Sequence, residues 1–368
     1  MASPKFSFCI LLLFVSYGIL TPTCCLGEIC QPKENAALFV FGDSIFDVGN
    51  NNYINTTADN HANFFPYGET FFKYPTGRFS DGRVIPDFVA EYAKLPLIPP
   101  FLFPGNQRYI DGINFASAGA GALVETHQGL VIDLKTQLSY FKKVSKVLRQ
   151  ELGVAETTTL LAKAVYLINI GSNDYEVYLT EKSSVFTPEK YVDMVVGSLT
   201  AVIKEIHKAG GRKFGVLNMP AMGCVPFVKI LVNAPKGSCV EEASALAKLH
   251  NSVLSVELGK LKKQLKGFKY SYVDFFNLSF DLINNPSKYA GLTGEISVVE
   301  VKEQRKITTY VRIPNWKCTS KWQTKHGAIV VAWALQDAPA QHGLANKVPE
   351  GGNQTIAGPY NLKTLFEE

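Results

Sequence analysis

The chain has 368 residues, of which 46% are hydrophobic, 12% aromatic and 19% charged. A wholly disordered chain would be richer in charge and poorer in aromatics, so that class is excluded, and the length is long for one domain and short for three. The net charge of +5 is spread over helical stretches such as Lys142, Lys143 and Lys146, and with no block of five or six like charges a nucleic-acid partner is not expected.

The first residues read as a leader. Lys5 is the only charge ahead of an apolar run from Phe6 to Leu20, and small or polar residues follow. That is the pattern of a secretory signal peptide, so residues 1–27 are expected to be cleaved and residues 28–368 to form a single domain. The run is about 15 residues, below the ~20 that a membrane-spanning helix needs, and no later segment reaches that length, so no transmembrane segment is expected. The expected location is extracellular, or within the secretory pathway or vacuole. Cleavage leaves four cysteines, Cys30, Cys224, Cys239 and Cys318. Cys224 and Cys239 are close in sequence across a Pro- and Gly-containing loop and are the expected disulfide, while no zinc-type spacing occurs and no metal is expected. Asn55, Asn277 and Asn353 each begin an Asn-x-Ser/Thr triplet and are candidate glycosylation sites.

Four short β-rich runs follow: Ala36 to Phe41, Val165 to Ile170, Lys213 to Asn218 and Tyr270 to Phe275. Strands buried on both faces are nearly continuously apolar in this way. Between them, Leu134, Leu138, Phe141, Val144 and Leu148 recur at steps of three and four. So do Val192, Val195, Leu199, Val202 and Ile206, ahead of a Gly210-Gly211 stop, and a third run carries Leu246, Leu249, Val253, Leu261 and Leu265. Alternation of strands and helices predicts an α/β fold around a mostly parallel sheet.

Open parallel sheets carry their sites at the carboxyl ends of the strands. Gly42-Asp43-Ser44 stands there, followed by Ile45 to Asn50; so does Gly171-Ser172-Asn173-Asp174, with a glycine-rich loop from Asn114 to Gly121 as a third candidate. A serine directly after a buried strand is exposed for attack on a carbonyl, and a backbone N–H and an amide side chain on neighbouring loops can hold the oxyanion that develops. The same residue types also favour ordinary strand-to-helix turns, so composition alone leaves both readings open. The glycine-rich loop matches neither a P-loop nor GxGxxG.

Order and wording separate the two readings. FVFGDSIFDVGNNN (39–52), GRFSDGRVIPDF (77–88), GINFASAGAG (112–121), IGSNDY (170–175), GGRKFGVLN (210–218) and GCVP (223–226) occur in succession. From about Ala36 to Tyr289 the chain resembles the plant GDSL esterase/lipase family of the SGNH hydrolase superfamily. The likeness returns in GPYNLKTLFE (358–367), which resembles the family's defence-related secreted branch. The resemblance implies a three-layer α/β/α sandwich of flavodoxin-like type, no cofactor, and hydrolysis of small-molecule or lipid carboxylic esters through an acyl-enzyme. It implies Ser44 as nucleophile, with its own N–H, the N–H of Gly119 and the side-chain amide of Asn173 forming the oxyanion hole. Where the family usually has Gly-Gly this chain has Ala118-Gly119, and Gly119 is counted as the functional one.

One family motif is missing. Near the C-terminus the family carries Asp-x-x-His, whose imidazole serves as general base, and a serine hydroxyl is a poor nucleophile without one. No Asp-x-x-His occurs anywhere in this chain. Of its six histidines, His207 and His250 fall in helical patterns, His61 and His127 in loops away from the expected position, and His326 and His342 in the last third. Asp337 and His342 are the nearest pair, five residues apart rather than three. Residues 290–352 match nothing in the family, although Gly327 to Leu335 is apolar enough to cover the sheet face left by the family's last helix. Gly294 to Ile307 can be back-translated so that a neighbouring frame reads GNKCGGGKRAKED, a Cys-Gly-Gly stretch of the family's kind, which points to a local frame disturbance. The chain thus reads either as a serine esterase or as a catalytically silent homologue that binds a partner or an acyl ligand in the old cleft.

Overall fold

Phe39 and Phe41 point to one face of the first strand and Leu38 and Val40 to the other, and all four are fully buried. Period-two alternation with both sides apolar requires cover on both faces, and the computed structural model shows it. The structure describes residues 36–65, 67–105, 108–181, 185–235, 237–285, 299–303, 306–310 and 357–367. Strands β1 (Leu38–Gly42), β2 (Gly112–Asn114), β3 (Val165–Asn169), β4 (Lys213–Leu217) and β5 (Lys269–Val273) form a parallel sheet in the order β2-β1-β3-β4-β5. A separate antiparallel hairpin joins β6 (Val299–Glu303) to β7 (Lys306–Tyr310). The last strand, β8 (Ala357–Pro359), adds antiparallel to β5 at the sheet edge.

Nine α-helices lie among the described residues: α1 (Ile85–Tyr92), α2 (Leu134–Leu152), α3 (Val154–Lys163), α4 (Ser172–Thr180), α5 (Pro188–Ala209), α6 (Pro226–Leu231), α7 (Glu241–Gln264), α8 (Phe275–Asn284) and α9 (Leu362–Glu367). One face of the sheet is covered by the apolar stripes of α2, α5 and α7, with Phe141, Leu199 and Leu254 against Phe39, Tyr166 and Phe214. The other is covered by α1, α8 and α9, with Val89, Leu278 and Leu362 beside Val40, Leu167 and Leu217. The result is a three-layer α/β/α sandwich. None of these helices is long and apolar enough to cross a membrane.

The four strands read from the apolar runs all form, within a residue or two of their expected ends. The short β2 runs into the glycine-rich loop, ending on its first residue Asn114, and does not read as a strand in sequence because three residues are too few to show a period. The segment Gly327 to Leu335, expected to cover one sheet face, lies outside the described residues; among those described, the tail supplies α9 on that face. Leu362 Cδ1 sits so close to β4 that a Cβ at Gly215 would lie 2.8 Å from it. Tyr92 of α1 donates to Glu367 of α9 at 3.3 Å, which closes the layer.

Candidate active site

At the carboxyl end of β1 the chain turns sharply. Phe46 N and Asp47 N donate to Asp43 O at 3.1 and 2.9 Å, and Ile45 N donates to Asp43 Oδ1 at 3.0 Å, an Asx turn that presents half-buried Ser44 at its tip. Gly42 has no room for a side chain, since a Cβ would lie 2.6 Å from Asn169 O at the end of β3. Gln137 of α2 clamps the strand end from beneath: Gly42 N donates to its Oε1 and its Nε2 donates to Gly42 O, both at 2.9 Å.

The block Asp47 to Asn51 ties this turn to the loop after β2. Asp47 Oδ2 accepts from Ala118 N at 3.0 Å. Asn50 Nδ2 donates to Asn114 O and Ala116 O at 2.9 and 2.8 Å. Asn51 Nδ2 donates to Ala118 O at 2.9 Å and its Oδ1 accepts from Ser117 Oγ at 2.5 Å. The strand end joins in, with Ser117 N donating to Gly42 O at 3.1 Å. Gly119 follows at φ +80, where a Cβ would come within 2.5 Å of Asn60 Oδ1, so this position needs glycine.

Gly171, at φ +126, turns the chain from β3 into α4 and sets Asn173 in the helix's first turn. Asn173 is buried, and its Nδ2 donates to Ala120 O at 2.9 Å. An amide nitrogen has two hydrogens, so this bond orients the side chain and leaves one donor. Next to it Asp174 accepts from Ala122 N (2.8 Å), Leu123 N (3.0 Å) and Thr126 Oγ1 (2.7 Å), which anchors the following loop to α4. Ser44 on its turn, Gly119 on the loop after β2 and Asn173 in the first turn of α4 therefore stand on segments bonded to one another at the carboxyl ends of the strands. Among the described residues no hydrogen bond engages Ser44 Oγ, Ser44 N–H or Gly119 N–H.

The other residues singled out from the sequence are placed as follows. Cys224 and Cys239 form a disulfide, with Cα atoms 4.3 Å apart, tying the turn after β4 to the start of α7. Asn55 is exposed; Asn277 is exposed too, with its Nδ2 engaged by Asp274 Oδ2 at 2.6 Å. Cys30, Cys318, Asn353, Asp337, His326 and His342 lie outside the described residues, as do residues 294–298 and 304–305 of the segment read in another frame. His207 Nε2 lies 2.9 Å from Lys266 O, at the far end of α5. His250 is fully buried, with its Nδ1 2.7 Å from Tyr175 OH, and burial pushes its pKa down to about 3. His127, distant from the site in sequence pattern, is brought to it: its Nδ1 lies 2.8 Å from Gly119 O. Gln137 and His127 gave no functional signal in the sequence, and Asp174 stood in a candidate motif without a role of its own; a polar residue inside the apolar stripe of α2 is the one clue that Gln137 offers.

A family model described as GDSL-like lipase/acylhydrolase matches residues 38–296. The chain belongs to this family. It is 47% identical over 346 residues to GDSL esterase/lipase 5 of Arabidopsis thaliana, covering 90% of this chain and 87% of that protein. It is 41% identical to the same plant's GDSL esterase/lipase 2, covering 97% and 98%. A GDSL lipase of Tanacetum cinerariifolium is 48% identical over 274 residues, 74% of this chain and 72% of that one. These relatives support a hydrolase of esterase/lipase type, and none of them favours the silent-homologue alternative.

The GDSL-family site is crowded with carboxyls. Burial, aided by the nearby charges of Asp174 and Asp47, pushes the Asp43 pKa up to about 7. Burial likewise raises Asp47 and Asp174 to about 6, against the pull of the N–H and O–H groups that donate to them. Glu176, on α4, is raised from 4.5 to about 8 by desolvation and then by Asp43 and Asp174. A carboxyl that binds its proton more tightly in the folded chain stabilises it at low pH, and that contribution is lost as pH rises through the folded value. Thermal midpoints are thus expected to fall between about pH 5 and 8, with Glu176→Gln flattening the upper part of the decline and raising the midpoint at about pH 8.5. Calorimetry across that range checks it; an identical slope in Glu176→Gln would show that this carboxyl ionises without resistance.

Proposed function

We propose that this chain is a secreted serine esterase, a single hydrolase domain over residues 28–368 after loss of 1–27, which cleaves small-molecule or lipid carboxylic esters through an acyl-enzyme on Ser44. The observation that carries the reading is the set of unused groups at the sheet edge. Ser44 Oγ, Ser44 N–H and Gly119 N–H are unengaged among the described residues, and Asn173 Nδ2 keeps one hydrogen, inside a loop cluster whose other groups are largely bonded. Ser44 Oγ adds to the ester carbonyl carbon, and the oxygen that becomes negative is held by these three donors. Expulsion of the alcohol leaves the acyl group on Ser44, and water releases the acid. Preorganised donors of this kind act without reorganisation as charge develops, and each one contributes on the order of 10²–10³ in kcat.

The Ser44 proton needs a base, and an imidazole suits the task near neutral pH. The family's Asp-x-x-His is absent from the sequence, and the histidines nearest to its position, His326 and His342, lie outside the described residues. The test is therefore one that reads the serine itself. A fluorophosphonate probe is expected to label the protein at one site, mapped by peptide mass spectrometry to the segment holding Ser44, and Ser44→Ala is expected to abolish the label. Labelling that persists in Ser44→Ala would remove Ser44 from the nucleophile's role. Cys224, Cys239 and the leader argue for secretion; N-terminal sequencing of the protein recovered from plant culture medium checks for cleavage near residue 27.

A further inference from the structure

We propose that His127 is a positioning residue for the oxyanion loop: it holds the Gly119–Ala120 peptide while Asn51 holds the Ala118–Gly119 peptide, so that both sides of the glycine whose N–H is the proposed oxyanion donor are fixed. This rests on the reading of Gly119 as an oxyanion donor. Three consecutive carbonyls in the loop are each held by a side chain from a different part of the chain. Asn51 Nδ2 donates to Ala118 O at 2.9 Å, His127 Nδ1 to Gly119 O at 2.8 Å, and Asn173 Nδ2 to Ala120 O at 2.9 Å. A carbonyl only accepts, so Nδ1 carries a proton in both charge states of the ring. The clamp therefore persists whether or not Nε2 is protonated.

Gly119 is where such a clamp matters most. Its φ of +80 belongs to the region glycine enters without penalty, and the same freedom lets the peptides on either side of it swing. Ala118 is secured twice, through Asn51 at its oxygen and Asp47 at its nitrogen. The Gly119 oxygen, by contrast, is bonded to His127 among the described residues. His127 itself sits at φ +49, in the left-handed region that non-glycine residues rarely adopt. Strain of this kind persists where the surroundings enforce it, and they do here: neighbouring Thr126 is tied to Asp174 at 2.7 Å, and Leu130 N donates to His127 O at 3.0 Å. The loop from Gly121 to Leu130 is folded back so that its imidazole reaches the glycine.

Two variants separate positioning from packing. His127→Phe keeps a ring and removes the donor. His127→Asn places Nδ2 at the same bond count from Cα as Nδ1, and asparagine tolerates a positive φ. His127→Phe is expected to slow fluorophosphonate labelling of Ser44, and kcat on a short-chain nitrophenyl ester, by about 10- to 100-fold with KM unchanged, within what a misplaced oxyanion donor costs. His127→Asn is expected to recover most of both, with the wild-type pH profile. In ¹⁵N-glycine-labelled protein carrying Ser44→Ala, the Gly119 amide resonance is expected to move in His127→Phe and return in His127→Asn. That spectrum needs no turnover, so it tests the clamp even if the Ser44 reading fails. A Gly119 resonance unmoved by His127→Phe would overturn the proposal. So would equal losses in both variants with one limb of the pH profile gone, which would make the ring a base rather than a clamp.

Discussion

Ser44→Ala is expected to lower kcat/KM toward a short-chain p-nitrophenyl ester by on the order of 10⁶, roughly 8 kcal/mol of barrier. The size follows from the chemistry: without an Oγ no acyl-enzyme forms, and what remains is water attacking an ester bound beside the oxyanion donors. The structure also predicts what the substitution leaves alone. Ser44 Oγ is hydrogen-bonded to none of the described residues, so its removal orphans no partner and opens little space at the tip of a turn. The thermal midpoint should stay within a degree or so of wild type, given that surface changes of this kind fall within about 0.5 kcal/mol. Matching rates for Ser44→Ala and wild type would end the serine mechanism, and a large drop in midpoint would show that the activity change reports unfolding.

Arg78→Met is expected to act in the opposite sense, destabilising the fold by about 3–5 kcal/mol through loss of a buried ion pair's partner. The Arg78 and Asp87 side chains are 7% and 1% exposed, so neither charge can fall back on water. The pair is bidentate, Nε to Oδ2 at 2.9 Å and Nη2 to Oδ1 at 2.8 Å. Arg78 also reaches Val48 O at 3.2 Å, beside the Asp47 to Asn51 block, and Asp87 Oδ2 accepts from Val84 N at 2.8 Å to cap α1. One charge pair thus joins the start of a covering helix to the segment that ties down the loop after β2. Methionine matches much of the volume but leaves the Asp87 carboxylate buried alone, which is where the energy is lost. Urea unfolding measures the change, and since domains are stable by only about 5–15 kcal/mol the shift should be plain. Adding Asp87→Leu to Arg78→Met should recover part of it, because the orphaned charge then disappears; a double variant weaker than the sum of the singles would contradict that account.

Much of the site was legible before any coordinates, and for identifiable reasons. Residues 39–52 place a serine two residues past the end of a buried strand, at the tip of the Asx turn that Asp43 begins. The 170–175 and 112–121 motifs follow strands in the same sheet, so parallel pairing alone brings Asn173 and Gly119 to the same edge. Asn50 and Asn51 were visible as letters but not as clamps. The carbonyls they hold in the loop after β2 lie 64 to 67 residues on, and nothing local says which carbonyl an amide will meet. The same holds for Gln137, 95 residues from the glycine it brackets.

What the sequence determined by itself is whatever short-range periodicity and order encode: apolar runs that must be covered on both faces, stripes at steps of three and four that supply the cover, and motifs falling at strand ends. Tertiary structure alone decided the pairings that no short-range period encodes, whether the partners lie far apart in the chain or within nine residues. It set β8 and α9 against β5 and β4 from the far end of the chain, locked Arg78 to Asp87 beneath the first covering helix, and carried His127 onto Gly119. Hydrophobic burial is non-directional and can be read from spacing, whereas a hydrogen bond is satisfied by whichever partner packing delivers within about 3 Å.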